Sequence, residues 1–171
     1  IIILAFLILG AARPTRAANA VVGSGTPASC TEAAFDSALT AASAGGGTIT
    51  FNCGPSVATV PLTVAKIVNL GNVTIDGADR IILNAGNNDR HFFAGGGVTF
   101  RLERIALRDG NSLVGGGAIE ASGATVILDS VQLLNNYSSI SGGAIYCYDG
   151  ELTMRDSLLE NNASGTGGAI Y

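Results

Sequence analysis

Charged residues recur in the second half of the chain at a spacing that could place them side by side. Glu103, Asp129 and Arg155 follow one another at equal intervals. If this interval marks one repeat, the three side chains stand on neighbouring strands, about 4.8 Å apart. Two carboxylates beside an arginine could hold a cation and supply a base, but Ca²⁺ takes about six to eight oxygen ligands. Opposite charges on stacked strands also relieve repulsion, and we favour that structural role.

A second column mixes one acid with two aromatic side chains. Glu120, Tyr146 and Tyr171 each directly follow the isoleucine of a repeated Gly-Gly-Ala-Ile tetrapeptide. Because side chains alternate between the two faces of a strand, inward-facing isoleucines would leave these three residues facing outward. Exposed, stacked tyrosines could bind a sugar or a protein partner. The column is therefore a candidate ligand-binding surface, with simple ladder packing as the favoured alternative.

The other reactive residue types carry weaker signals. Cys30 and Cys53 could form a disulfide in an exported protein, and closing that loop would stabilise the fold by roughly 3 kcal/mol. Cys147 is left over and is predicted to be a small, buried hydrophobic residue. His91, the only histidine, follows a polar stretch and is predicted to lie in a loop. We expect no metal site from these residues.

The candidate columns need a regular scaffold, and the second half of the chain is periodic. The Gly-Gly-Ala-Ile tetrapeptide occurs at residues 116–119, 142–145 and 167–170. Each repeat contains three short strand-like pieces separated by Gly, Asn, Asp or Ser, and none has the length of a helix. Three strands in about 25 residues predict an all-β fold, a parallel β-helix whose equivalent residues stack in columns. The corners of such a fold need backbone conformations that glycine tolerates, which explains the high count of 24 glycines.

Composition excludes several function classes. Only 13% of the 171 residues are charged and the formal net charge is −4, which argues against a nucleic-acid partner, since such proteins carry a basic stripe. A hydrophobic share of 47% with modest net charge argues against a disordered tail. The glycines do not recur at every third residue, so the chain is not collagen-like. We therefore expect one folded domain.

The N-terminal region differs from the rest. Residues 1–9 are an unbroken apolar run, too short for a bilayer core, which needs about 20 apolar residues. The run suits the apolar part of a signal peptide, and the small residues at 18–20, or alternatively at 15–17, offer a cleavage pattern. We predict a signal peptide at residues 1–20, incomplete at its start. The mature protein is then secreted or on the cell surface, with no transmembrane helix.

A capping region is predicted at residues 21–53. Ser29 and Glu32 have the spacing of a capping box at the start of a helix. The apolar stripe of that helix is Phe35, Ala38, Leu39 and Ala42. Glycines at 45–47 end the helix, and residues 48–51 alternate as a strand. The helix would cover the hydrophobic end of the β-region that follows.

The repeats resemble those of chlamydial-type polymorphic outer membrane proteins. The resemblance rests on the tetrapeptide paired with an Asn corner at residues 133–136 and 159–162, where Leu133 and Leu159 stand in place of the family's Phe. The segment from Cys30 to Gly54 is similar to the N-terminal cap of bacterial surface β-helix proteins. The resemblance implies a right-handed parallel β-helix of the pectate-lyase-like superfamily at residues 54–171. We expect this β-helix to be truncated at its C-terminus, because the last tetrapeptide opens a new turn and an end there would expose an unpaired strand edge.

Two functions follow from the resemblance. The first is an adhesin-like passenger that needs no cofactor and contacts a polysaccharide or a host or cell-surface protein. The alternative is a lyase or hydrolase acting on acidic polysaccharide, with Ca²⁺ bound near Glu103 and Asp129, and Arg155 as base. Asp76 and Asp79 are predicted to form a turn, and the short aspartate and histidine motifs of polygalacturonases do not occur. We favour the non-catalytic passenger.

Overall fold

The described chain is mostly β, with parallel sheets and one α-helix. The computed structural model describes residues 17–166 and 168–171, so most of the predicted signal peptide lies outside the described residues. A 3₁₀ turn, Pro27–Ser29, precedes helix α1, Glu32–Ser43. The strands are β1 (Ala20–Val22), β2 (Gly47–Phe51), β3 (Ala58–Pro61), β4 (Lys66–Val68), β5 (Val73–Asn84), β6 (Phe92–Gly95), β7 (Thr99–Arg108), β8 (Asn111–Ser112), β9 (Ile119–Ser122), β10 (Thr125–Asp129), β11 (Gln132–Leu134), β12 (Tyr137–Ser141), β13 (Ile145–Tyr148), β14 (Glu151–Arg155), β15 (Leu158–Glu160) and β16 (Ala163–Thr166).

The strands form three sheets. The large sheet has the order β1-β2-β5-β7-β10-β14, with β3 beside β5 and with β11 between β7 and β15. A four-stranded sheet has the order β13-β9-β6-β4, and a three-stranded sheet the order β16-β12-β8. Each strand lies beside a parallel partner from the preceding or following repeat, so the chain visits the three sheets in turn.

The register confirms the predicted offset between repeats. Val126 pairs with Phe100 in the preceding repeat and with Leu152 in the following one, at the same interval in each direction. Leu133 likewise pairs with Leu107 and Leu159. Of these side chains, Phe100, Val126, Leu107 and Leu133 are fully buried. Stacked aliphatic and aromatic columns therefore build the core, and their burial is the main force that holds the repeats together.

The repeats at residues 111–134 and 137–160 each contain four strands, one more than predicted. The stretch from Tyr137 to Glu160 contains β12, β13, β14 and β15, and the strand that was not predicted is β12, which directly follows the predicted Asn corner. The last two strands belong to one sheet that bends between them. At the bend Arg104, Ser130 and Asp156 all have positive φ, from 48° to 58°. One left-handed residue therefore turns the chain there in each repeat.

Glycine is required at the start of the repeated tetrapeptide. Gly116 and Gly142 have φ of 62° and 58°. A Cβ atom at either position would lie 2.0 Å from the carbonyl oxygen of Ile119 or Ile145, respectively. A side chain there would therefore both strain the backbone and collide with it. This close approach gives the Gly-Gly-Ala-Ile spacing a physical reason.

Helix α1 covers one end of the core, as predicted, but begins differently. Its four stripe residues are buried. The N-cap is Thr31, whose side chain accepts a hydrogen bond from the amide of Ala34 at 3.2 Å, so the predicted capping box at Ser29 is wrong. Cys30 and Cys53 form a disulfide with a Cα–Cα distance of 5.7 Å, which ties the start of the helix to the end of β2.

An ion pair attaches the helix to strand β4. Glu32 accepts hydrogen bonds from Lys66 Nζ at 2.6 Å and from the amide of Thr63 at 2.8 Å. Desolvation raises the pKa of Glu32, but these hydrogen bonds outweigh it and hold the pKa at about 2. Lys66 also lies 2.8 Å from Asp36 and is itself buried. The single lysine of the chain is thus a structural residue.

His91 lies in the bend before β6, as predicted, but it is fully buried. Its Nε2 lies 3.1 Å from the carbonyl oxygens of both Leu83 and Arg108, so Nε2 must carry the proton. Nδ1 has no well-formed hydrogen bond among the described residues, although the Gly117 backbone lies close. Burial lowers the pKa of His91 to about 4, against the opposing effects of the two carbonyls and of Asp109.

Candidate functional site

The outer face of the four-stranded sheet carries a continuous column of large side chains. In register across the sheet are Ile67 on β4, Phe93 on β6, Glu120 on β9 and Tyr146 on β13. Tyr171 continues the column, since its ring stacks on that of Tyr146 with centroids 5.4 Å apart and an interplanar angle of 12°. We call these five residues the outer column.

The alternation of the strands explains why the outer column faces outward. The residues just before Phe93, Glu120 and Tyr146 are Phe92, Ile119 and Ile145, which are fully buried. The prediction that the isoleucines point inward is therefore confirmed at 119 and 145, whereas Ile170 is 39% exposed. Glu120, Tyr146 and Tyr171 stand together as predicted.

Backbone contacts hold the aromatic rings in place. A Cβ atom at Gly95 would lie 2.9 Å from the Phe93 ring, and one at Gly115 would lie 2.6 Å from the Tyr146 ring. Both rings therefore lie against bare backbone, which restricts their movement. Tyr171 remains 59% exposed. The outer column thus combines fixed rings with an accessible aromatic end.

An arginine pairs with the acid of the column. Arg90 forms an ion pair with Glu120, and its Nη2 donates a hydrogen bond to Ser112 Oγ at 2.8 Å. Burial lowers the pKa of Arg90, and the nearby Asp89 opposes that effect. The column therefore presents a charged pair between apolar and aromatic neighbours. Stacked rings beside hydrogen-bonding groups can hold the apolar face and the hydroxyls of a sugar.

The predicted catalytic residues are also in register but are engaged with one another. Asp129 pairs with Glu103 on one side and with Arg155 on the other, and Asp76 extends the column by one strand. Arg101 binds Glu103 and also lies 3.1 Å from Asp129, while Arg155 Nη2 lies 3.4 Å from Asp129. The hydrogen bond that Arg101 donates to Glu103 raises the pKa of Arg101. The cluster is a network of opposite charges on the outer face of the large sheet.

Asp76 and Asp79, where a turn was predicted, lie inside β5 at a point where its register to β7 shifts, so the chain turns there as a bulge within the strand. Asp76 Oδ1 accepts a hydrogen bond from the amide of Ala78 at 2.9 Å, and both Ala78 and Asp79 have positive φ. Asp76 also forms an ion pair with Arg104. Within residues 17–166 and 168–171, no group of three or more His, Cys, Asp or Glu side chains is placed to hold a metal ion.

Sequence reasoning missed three residues of the candidate site. Ile67 and Phe93 were overlooked because the register of the earlier repeats is looser, with one position more between Phe93 and Glu120 than between Glu120 and Tyr146. A search that allowed one extra residue would have found both. Arg90 was overlooked because it lies outside a strand and repeats nowhere.

No family model, curated protein or solved structure matches the chain. Among the described residues, no helix has both the length and the apolar character needed to cross a membrane. The resemblance to polymorphic outer membrane proteins therefore stays a prediction.

Proposed function

We propose that the protein is an exported, non-catalytic repeat protein of the cell surface that contacts glycans through the outer column. The observation that carries this proposal is the alignment of Phe93, Glu120, Tyr146 and Tyr171 on one outer face. The two tyrosine rings are stacked, and the acid is paired with a fixed arginine. Such a surface offers aromatic faces to sugar rings and charged groups to their hydroxyls.

The proposal includes the architecture of a right-handed parallel β-helix, similar to polymorphic outer membrane proteins. Parallel pairing at a nearly constant offset in three sheets supports a helical path of the chain. Parallel strands of one sheet that are joined by a crossover are right-handed in about 98% of cases. A coil of this hand gives neighbouring repeats equivalent outer positions, which a glycan could follow.

Export is supported by two features. The apolar run at residues 1–9 has the length of a signal-peptide core, and a Cys30–Cys53 disulfide is typical of oxidising compartments.

The two predicted cleavage sites differ in the residues that cleavage would remove. The amide of Ala18 donates to Gly46 O and Asn19 Oδ1 accepts from the amide of Thr48, both at 3.0 Å. Cleavage after residue 17 preserves these contacts, so we favour it over cleavage after residue 20.

A glycan microarray tests the proposed contact. The purified protein should bind a subset of glycans, and Tyr146→Ala should reduce that signal at least tenfold, because a stacked aromatic anchor contributes strongly to binding. Tyr137→Ala is the matched control, since Tyr137 is an exposed tyrosine on another sheet. The proposal is wrong if no glycan is bound, or if both variants lose binding equally.

The competing function is a polysaccharide lyase, favoured by the acids of Asp76, Glu103 and Asp129 on three adjacent strands. Against it, each of these carboxylates already has an arginine partner. Release of unsaturated products from acidic polysaccharide in the presence of Ca²⁺, abolished by Glu103→Gln and Asp129→Asn, would establish the lyase and overturn the non-catalytic proposal.

A further inference from the structure

The large sheet carries a separate groove of about 220 Å³ where β5, β7 and β11 follow the bend. Its origin lies in the size of one side chain. Ala106 on β7 pairs with Ile82 on β5 and with Gln132 on β11. A methyl group therefore stands between two longer side chains, and the gap leaves space for a ligand. The rest of the apolar lining consists of Ile81, Ile105, Leu134 and Val57.

The polar part of the lining is rich in arginine. Arg80, Arg104 and Arg108 line the groove, and Asp79 is the only acid among its lining residues. These are three of the eight arginines of a chain with a formal net charge of −4. A positive groove on an acidic protein is a local reversal of charge, and it favours an anionic ligand.

The three guanidinium groups differ in their freedom to bind. Arg104 donates to Asp76 through both Nε and Nη2, so that group is largely occupied. Arg108 donates through Nε to Asp109 at 2.9 Å, which leaves its terminal nitrogens available. Arg80 is exposed and forms no ion pair within the part of the chain that the structure describes. Arg80 and Arg108 are therefore the groups that can receive a ligand.

We propose that this groove binds the carboxylate or sulfate group of an acidic saccharide. A guanidinium binds such planar or tetrahedral oxyanions through paired hydrogen bonds. Ala106 and Ile82 offer an apolar surface to a sugar ring, and Gln132 and Ser130 offer hydrogen-bonding groups to its hydroxyls. The volume lies below the roughly 300–1,000 Å³ of drug-sized sites, so the groove suits one sugar residue. This site is independent of the outer column.

Calorimetric or NMR titration of the folded protein tests the groove. The probes are glucuronate and glucose 6-sulfate, with glucose as the neutral control and acetate and sulfate as simple anions. We expect both acidic sugars to bind, glucose not to bind, and the simple anions to bind at least tenfold more weakly. The double change Arg80→Gln with Arg108→Gln should weaken binding at least tenfold. Ala106→Leu should do the same without altering charge, because it fills the gap.

Two control variants separate the outcomes. Arg155→Gln removes an exposed arginine elsewhere on the large sheet and should leave binding unchanged. Tyr146→Ala should also leave it unchanged, since the outer column is a different site. If Arg155→Gln and the double variant weaken binding of the acidic sugars equally, the binding depends only on net charge, and the proposal is overturned. Simple anions that bind as tightly as the acidic sugars would overturn the saccharide assignment.

Discussion

The buried histidine makes the stability of this fold depend on pH in a range where few other groups titrate. His91 has an ordinary pKa of 6.5 in the unfolded chain and a pKa of about 4 in the folded protein, because burial disfavours the charged ring. The unfolded state therefore binds the proton more readily. The contribution of neutral His91 to the free energy of unfolding is therefore fully present at neutral pH, and it is lost as the pH drops from 6.5 toward 4.

The magnitude follows from the difference between the two pKa values. Each unit corresponds to about 1.4 kcal/mol, so the full effect is about 3 kcal/mol, most of it reached by about pH 4.5. Glu32 acts over a lower range, because its folded pKa of about 2 lies below its ordinary value of 4.5. Its contribution is lost only as the pH falls below about 4.5. The interval between neutral pH and about pH 4.5 is therefore a test of His91.

The assay is urea unfolding followed by far-ultraviolet circular dichroism, since the chain has no tryptophan. The wild-type protein should lose about 2–3 kcal/mol between about pH 7.5 and about pH 4.5. His91→Gln should show a much smaller loss over the same interval, whatever its stability at neutral pH, because glutamine does not titrate. Equal losses in the two proteins would show that the pH dependence comes from groups other than His91.

Three further predictions concern stability. Lys66→Met should lower the free energy of unfolding by about 2 kcal/mol because it removes the buried cation that Glu32 and Asp36 share, and urea titration beside the matched Lys66→Arg variant should show most of that free energy restored. Replacing Cys30 and Cys53 by serine should lower the free energy of unfolding by about 3 kcal/mol. The wild-type protein with reductant should unfold like that variant, and an unchanged unfolding midpoint would contradict the stabilising role of the disulfide. Ser130→Val should lower the free energy of unfolding, measured by thermal unfolding, by about 1–2 kcal/mol, because a β-branched residue is strained at positive φ. The control variant Thr125→Val should change that free energy little.

The columns could be predicted from the sequence wherever the repeat has a constant length. Glu103, Asp129 and Arg155 were placed in register because a single constant offset relates all three. Phe93 was not predicted because the interval from Phe93 to Glu120 is one residue longer than the interval from Glu120 to Tyr146. A shift of one position in a strand moves a side chain to the opposite face of the sheet. Register is therefore predictable only as far as the spacing stays fixed.

Other features depend on contacts that no local pattern reveals. Arg101 binds two acids, but its neighbours in register are Thr74 and Ile127, so no charge repeats at that column. His91 is buried because distant segments close over it, although the four residues that precede it in the sequence are polar. Long-range packing of this kind overrides local composition, which is why a residue predicted in a loop turned out to be buried.

The most direct test of the central claim is an NMR titration of isotope-labelled protein with the best glycan from the microarray, run beside an assay for unsaturated products. We expect the largest chemical-shift changes on Phe93, Glu120, Tyr146 and Tyr171, and no product. Shift changes centred on Glu103 and Asp129, together with product formation, would contradict the claim of a non-catalytic surface protein.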